Sequence, residues 1–193
     1  MDLTPREEFA ETLETIYNVV SSSPVLPEEE YLIRYDRLGQ YIQWNACKYY
    51  RIKFHDKWYR YNPEDVVNGK SVTILWNFLI QTDRKIDSNR PEIVIKDYNR
   101  GTCLLIEMSV LHDQNVSRKE CGKLSHYKDL QIEITQMWML STTIIPVVIG
   151  ALGMIKKGAE KYIKQLSANS NLSELQKITL MGAAHILRKA LSI

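Results

Sequence analysis

Apolar and polar residues change period several times along this chain, and each change marks an element. Phe9, Leu13, Ile16, Tyr17 and Val20 recur at helical spacing, with Glu7, Glu8 and Glu11 early, where a helix dipole favours acids. This predicts a helix over residues 5–20, ended by Ser21-Ser22-Ser23-Pro24. Pro27 opens a second, long amphipathic helix over 28–52, with Leu32, Tyr35, Leu38, Ile42 and Cys47 at apolar positions. Residues 53–70 show no period and read as an irregular connection. Its His55, Trp58, Tyr59, Tyr61 and Pro63 read as anchors tucked onto the core, with stacking on a base as the alternative.

The pattern then shortens to β. Residues 72–80 are rich in β-branched and aromatic side chains, 93–95 follow Asn89-Arg90-Pro91, and 103–110 follow the turn Asn99-Arg100-Gly101. Helical spacing returns over 116–140, where Leu124, Tyr127, Leu130, Ile134 and Trp138 form one apolar face and Lys119, Lys123 and Tyr127 share a stripe. Residues 134–155 carry no charged side chain, which is long enough to span a membrane as a helix. Gln136, Ser141, Thr142, Thr143, Pro146, Gly150 and Gly153 interrupt that run. The reading is a helix end, a strand over 143–149 covered on both faces, then a turn, with no membrane span. A lysine-rich helix over 154–166, a Ser/Asn hinge over 167–171 and a final helix from Leu172 complete the chain. The packing stripe of that last helix is Leu175, Ile178, Gly182, Ile186 and Leu191.

Composition adds boundaries. With 193 residues, 45% of them apolar and 25% charged, the chain has the make-up of one globular domain able to bury a good core. A net charge of +2 does not advertise nucleic-acid binding, so any basic surface must be local. Cys47, Cys103 and Cys121 are odd in number and widely spaced, which fits free thiols in a reducing, nuclear or cytoplasmic setting. Met1-Asp2-Leu3-Thr4-Pro5 lacks the basic and apolar run of a signal peptide.

The chemistry of the chain centres on Glu92 and Glu107. Glu107 interrupts an almost wholly apolar strand, where a charge costs several kcal/mol unless it is paired, metal-bound or wet. Alternation sets Cys103, Leu105, Glu107 and Ser109 on one face and Glu92, Val94 and Lys96 on one face of the neighbouring strand. Two acids on adjacent strands can converge on a divalent cation. A plain structural reading also exists, in which Glu92 caps a strand edge, Glu107 pairs with Lys119 or Lys123, and nothing is catalysed. His112, His126 and His185 are isolated, and no phosphate-binding glycine loop or Ser/His/Asp pattern occurs.

Arg90-Pro91-Glu92-Ile93-Val94 followed by Leu105-Ile106-Glu107-Met108 resembles the C-terminal endonuclease domain of non-LTR retrotransposon reverse transcriptases, a branch of the restriction-endonuclease-like, PD-(D/E)XK, superfamily. The likeness continues through Ile74-Leu75-Trp76, Thr82-Asp83-Arg84 and residues 145–153. It implies an α/β fold whose core runs helix, three strands, helix, strand, with extra helices at both ends. The implied layout is a degenerate zinc-knuckle segment over 1–26, with Arg6, Phe9, Asn18 and Ser23 near the lost ligand positions, and an endonuclease domain over 27–193.

The implied activity is Mg²⁺- or Mn²⁺-dependent nicking of DNA, leaving a 3′-OH to prime the reverse transcriptase domain of the parent element. Glu92 and Glu107 would hold metal, with Asp83 as a possible extra ligand. Lys119 or Lys123 would take the place of the usual lysine, since Ser109 stands two residues after the second acid, and Tyr127 would order the site. Arg34-Tyr35-Asp36-Arg37 matches an Arg-His-Asp element with Tyr35 in place of His. Its Arg34 and Arg37 read as a solvated face, with phosphate contact as the alternative. Glu92 and Glu107 replace the family's usual Asp, each reaching about 1.5 Å further, and Asn77 stands where an Asp is common. The implied alternative function is a remnant that has lost metal chemistry and only binds DNA or another protein.

Overall fold

A computed structural model describes residues 16–21, 28–52, 55–111, 116–166 and 171–192. Five strands form one sheet in the order of the chain: β1 (Val66–Asn68), β2 (Val72–Trp76), β3 (Ile93–Asp97), β4 (Thr102–Leu111) and β5 (Ser141–Gly150). The first four pair antiparallel, and β5 joins β4 in parallel. That parallel step needs a crossover, supplied by two helices, α2 (Val116–His126) and α3 (Lys128–Trp138). The long helix α1 (Glu28–Tyr49) precedes the sheet. The short α4 (Glu160–Leu166) and the long α5 (Leu172–Ala190) follow it. The chain is therefore α/β, and it departs from the expected run of helix, three strands, helix and strand by the extra short strand β1 and by a crossover of two helices.

The two faces of the sheet bury different sets. On one, Ile74, Ile95, Ile106 and Val147 pack with Leu38 and Ile42 of α1, Ile163 of α4 and Ile178 of α5. On the other, Leu75, Val94, Leu105 and Ile144 pack with Leu130 and Ile134 of α3 and with Tyr127 at the α2–α3 junction. Coverage on both sides explains why β5 is continuously apolar from Ile144 to Ile149. Pro146, which cannot donate to a ladder, is tolerated because β5 is an edge strand.

Several boundaries differ from the sequence expectations. The strand expected over 72–80 stops at Trp76, because Asn77 takes a left-handed φ of 48° and turns the chain out of the sheet. The helix expected over 116–140 breaks at Tyr127 into α2 and α3. The connection over 53–70 contains the short β1, paired with β2 across Gly69. The helix expected over 154–166 begins only at Glu160, after Gly158 turns with φ 91°. α1 ends at Tyr49, where Arg51 adopts φ 54° and the Ile52 amide donates to the Cys47 carbonyl at 2.9 Å.

Of the predicted N-terminal helix, residues 16–21 are helical and the rest lies outside the described residues, as do three of the four knuckle positions, most of the 167–171 hinge and His112. Arg34, expected on a solvated face, is instead buried, and its Nη1 donates to the Val20 carbonyl at 2.8 Å. It fastens the helical stretch 16–21 to α1. Arg37 is exposed, as expected. Among the described residues, no helix is long and apolar enough to cross a membrane.

Candidate active site

The register of β3 on β4 brings the two acids together. Ile93 pairs with Ile106 and Val94 with Leu105. One step further along that register sets Glu92 opposite Glu107, on the face occupied by Leu105 and Tyr127. Glu107 lies inside β4, is fully buried, and has Pro146 of β5 on its other side. Glu92 stands just before β3, where β2 and β3 come to an end. Its carbonyl still accepts from the Asn77 amide at 2.6 Å, and its Oε2 accepts from the Met108 amide at 3.2 Å. The carboxylate thus takes up a β4 donor beyond the start of β3.

Lys123, on α2, closes the cluster. Its Nζ lies 3.0 Å from Glu107 Oε2 and 3.3 Å from Glu92 Oε1. Both carboxylates therefore reach one cation-sized point. Lys119, one turn earlier on the same stripe, is exposed and has no ion pair with either acid. Tyr127 is buried beneath, and its ring centroid is 5.8 Å from Lys123 Nζ. Asp83 is exposed in the loop between β2 and β3, and no group of three His, Cys, Asp or Glu side chains suited to a metal forms among the described residues. The structure therefore unites Glu92, Glu107, Lys123 and Tyr127, and leaves Asp83 and Lys119 aside.

Tyr35 is the site residue that sequence reasoning passed over. Its hydroxyl makes a short hydrogen bond to Glu92 Oε1, the oxygen that Lys123 also touches. α1 can bring it there because Gly39, one turn later, lets the helix lie directly on Trp76 and Met108. A Cβ at that position would overlap the Trp76 ring and sit 2.9 Å from Met108 Cε. The sequence signal was present as the Tyr in Arg34-Tyr35-Asp36-Arg37, but only the crossing of α1 over the strand ends gives it a partner.

The electrostatics follow from burial. Desolvation, then the hydrogen bonding and charge of Glu92, push the Glu107 carboxyl up to about 9, against the pull of Lys123. Burial works to discharge Lys123, but the two carboxylates outweigh it and hold the ammonium above its usual range. Burial and the neighbouring acids keep the phenols of Tyr35 and Tyr127 protonated. Two acids thus face a single ammonium, and Glu107 Oε1 is buried with no hydrogen-bond partner. A carboxylate oxygen left in that condition calls for a proton or a second cation.

These residues fit a divalent ion. The donors are hard carboxylate oxygens, one of them unpartnered, and Mg²⁺ characteristically takes one or two carboxylates and leaves its other positions to water and phosphate. The chain matches no known family model, and no curated protein matches its sequence.

Proposed function

We propose that Glu92, Glu107 and Lys123 form the hydrolytic centre of a divalent-metal-dependent DNA endonuclease of the restriction-like class, derived from a non-LTR retrotransposon. The observation that carries this reading is the convergence of a carboxylate from β4 and one from the residue just before β3 on a helix-borne ammonium, at 3.0 and 3.3 Å, with one buried oxygen still unpartnered. Glu92 and Glu107 would hold Mg²⁺ or Mn²⁺, which when bound supplies Lewis-acid stabilisation and an activated water. Lys123 provides positive charge for a phosphate and a proton donor at Nζ. Tyr35 fixes the Glu92 carboxylate from the opposite side, and Tyr127 walls the site. The product of a nick would carry a 3′-OH for the reverse transcriptase domain of a parent element, in the nucleus or cytoplasm. Cys47, Cys103 and Cys121 are free thiols, in keeping with such a setting.

Plasmid nicking in Mg²⁺ or Mn²⁺ tests this reading. Glu107→Ala should lower the rate by about two or more orders of magnitude, because it removes a ligand of the activated water. Glu92→Asp, which restores the arm length usual in the family, should leave the rate unchanged or raise it. Nicking that survives both EDTA and Glu107→Ala sinks the assignment. One observation favours a second reading: Lys123 already bridges both acids, as it would in a remnant whose ion pair has replaced the metal. That remnant would bind DNA in a salt-sensitive way and cut nothing, before or after Glu92→Asp.

A further inference from the structure

The loop that joins β2 to the first acid presents two large apolar side chains to solvent, Phe78 and Leu79, 44% and 54% exposed. Single exposed apolar residues are ordinary, but this pair is set apart by its surroundings. The same loop buries its other apolar residues: Ile80 is 3% exposed, and Ile86 packs against the core cluster around Leu130. Nor is the pair left out by looseness. The Ile80 amide donates to the Asn89 carbonyl at 2.8 Å, Arg90 Nε to the Asn77 carbonyl at 2.8 Å, and Arg84 Nε to Glu133 at 2.8 Å. Ser88 Oγ lies 2.7 Å from His126 Nε2 at the end of α2. The loop is braced at both ends and to both crossover helices, and it still holds Phe78 and Leu79 out.

Their position is tied to the acid pair. Asn77, with its left-handed backbone, directs the chain out of the sheet immediately before Phe78, while its own amide binds the Glu92 carbonyl at 2.6 Å. Arg90, exposed and bonded to the Asn77 carbonyl, puts a cation beside the pair. The loop's acids, Asp83 and Asp87, come four residues or more further along the chain from Leu79. An apolar tip with an adjacent arginine matches a ligand with an anionic backbone and an apolar stacked interior. Duplex DNA is such a ligand, and proteins that deform it insert Phe and Leu between base steps while cations hold the flanking phosphates.

We propose that Phe78 and Leu79 are a wedge that enters a base step of duplex DNA next to the bond presented to Glu92 and Glu107. The wedge opens the stack so that one strand is drawn to the buried acid. This deepens the endonuclease reading and rests on it for the nature of the ligand.

The test is a duplex carrying 2-aminopurine, whose emission rises on unstacking, titrated with the full chain in EDTA so that no cleavage is needed. Wild type should raise the emission on binding. Phe78→Ala/Leu79→Ala should bind with at most about tenfold lower affinity and lose the rise, while Phe78→Trp/Leu79→Met, which keeps a bulky apolar tip, should restore it. Both positions are exposed, so all three chains should share one far-ultraviolet dichroism spectrum. An equal rise with the alanine pair overturns the wedge. DNA bound by wild type with no rise also overturns it, and points the pair to a protein partner instead. Unstacking without nicking in Mg²⁺ sinks the reading of the acids alone, nicking without unstacking sinks the wedge alone, and failure to bind DNA removes both.

Discussion

Replacing Glu107 by Gln exchanges the buried carboxyl for a neutral group of the same shape, and its effect should change sign with pH. The carboxyl titrates from an ordinary value of 4.5 in the unfolded chain to about 9 in the folded one. Below the first value both states hold the proton and ionisation costs nothing. As pH rises towards the second, the folded chain keeps a proton that the unfolded chain has released, so stability falls throughout that window. Each pH unit is worth about 1.4 kcal/mol, which gives a ceiling of roughly 4–5 kcal/mol between 4.5 and pH 8.

Against this, the Gln amide fits the hydrogen bonds of the protonated carboxyl less well, at a cost of about 1–2 kcal/mol. The variant should therefore be more stable than wild type by about 3 kcal/mol at pH 8, and equal or slightly less stable at pH 5. Urea unfolding in EDTA, followed by tryptophan fluorescence at both values, gives the comparison. Parallel pH dependences for the two chains would mean instead that Glu107 is ionised and satisfied in the fold.

Other substitutions separate the parts of the cluster. Lys123→Met leaves two acids without their cation and should cost about 3 kcal/mol at pH 8 by urea unfolding. Lys119→Met, one turn away and exposed, should stay within about 0.5 kcal/mol by the same measurement. Tyr35→Phe removes one donor from Glu92 and should cost about 1–2 kcal/mol of stability in a denaturant titration. Gly39→Ala should destabilise by about 1–3 kcal/mol despite the better helix propensity of Ala, because the methyl runs into Trp76 and Met108; thermal unfolding would show it.

Much of the fold was legible because the period of the sequence reports burial directly. The strands around Val94, Leu105 and Ile145 are apolar because both faces of the sheet are covered, and that same physics separated β5 from a membrane span. The pairing of Glu92 with Glu107 was legible from alternation, since a register of period two carries a side chain to a definite face. Features set by tertiary geometry were not. β1 is three residues long and exists through its pairing with β2. Lys119 and Lys123 are equivalent in a stripe argument, and only the height of α2 along β4 selects Lys123. Tyr35 needed the crossing of α1 over the ends of β2 and β3, which no local pattern encodes. Arg34 looked like a surface charge because a helical residue's partner can be the end of a distant helix, here the Val20 carbonyl.

If Glu92 and Glu107 together hold one divalent cation, Mn²⁺ titration followed by electron paramagnetic resonance should count it. The free-ion signal should be quenched to one equivalent by the wild-type chain at pH 8, and by Lys119→Met. It should persist undiminished with Glu107→Gln, which removes the buried oxygen donor's charge. Wild type and Glu107→Gln binding the same number of ions, or neither binding any, would leave Glu92, Glu107 and Lys123 as a structural ion pair with no metal role.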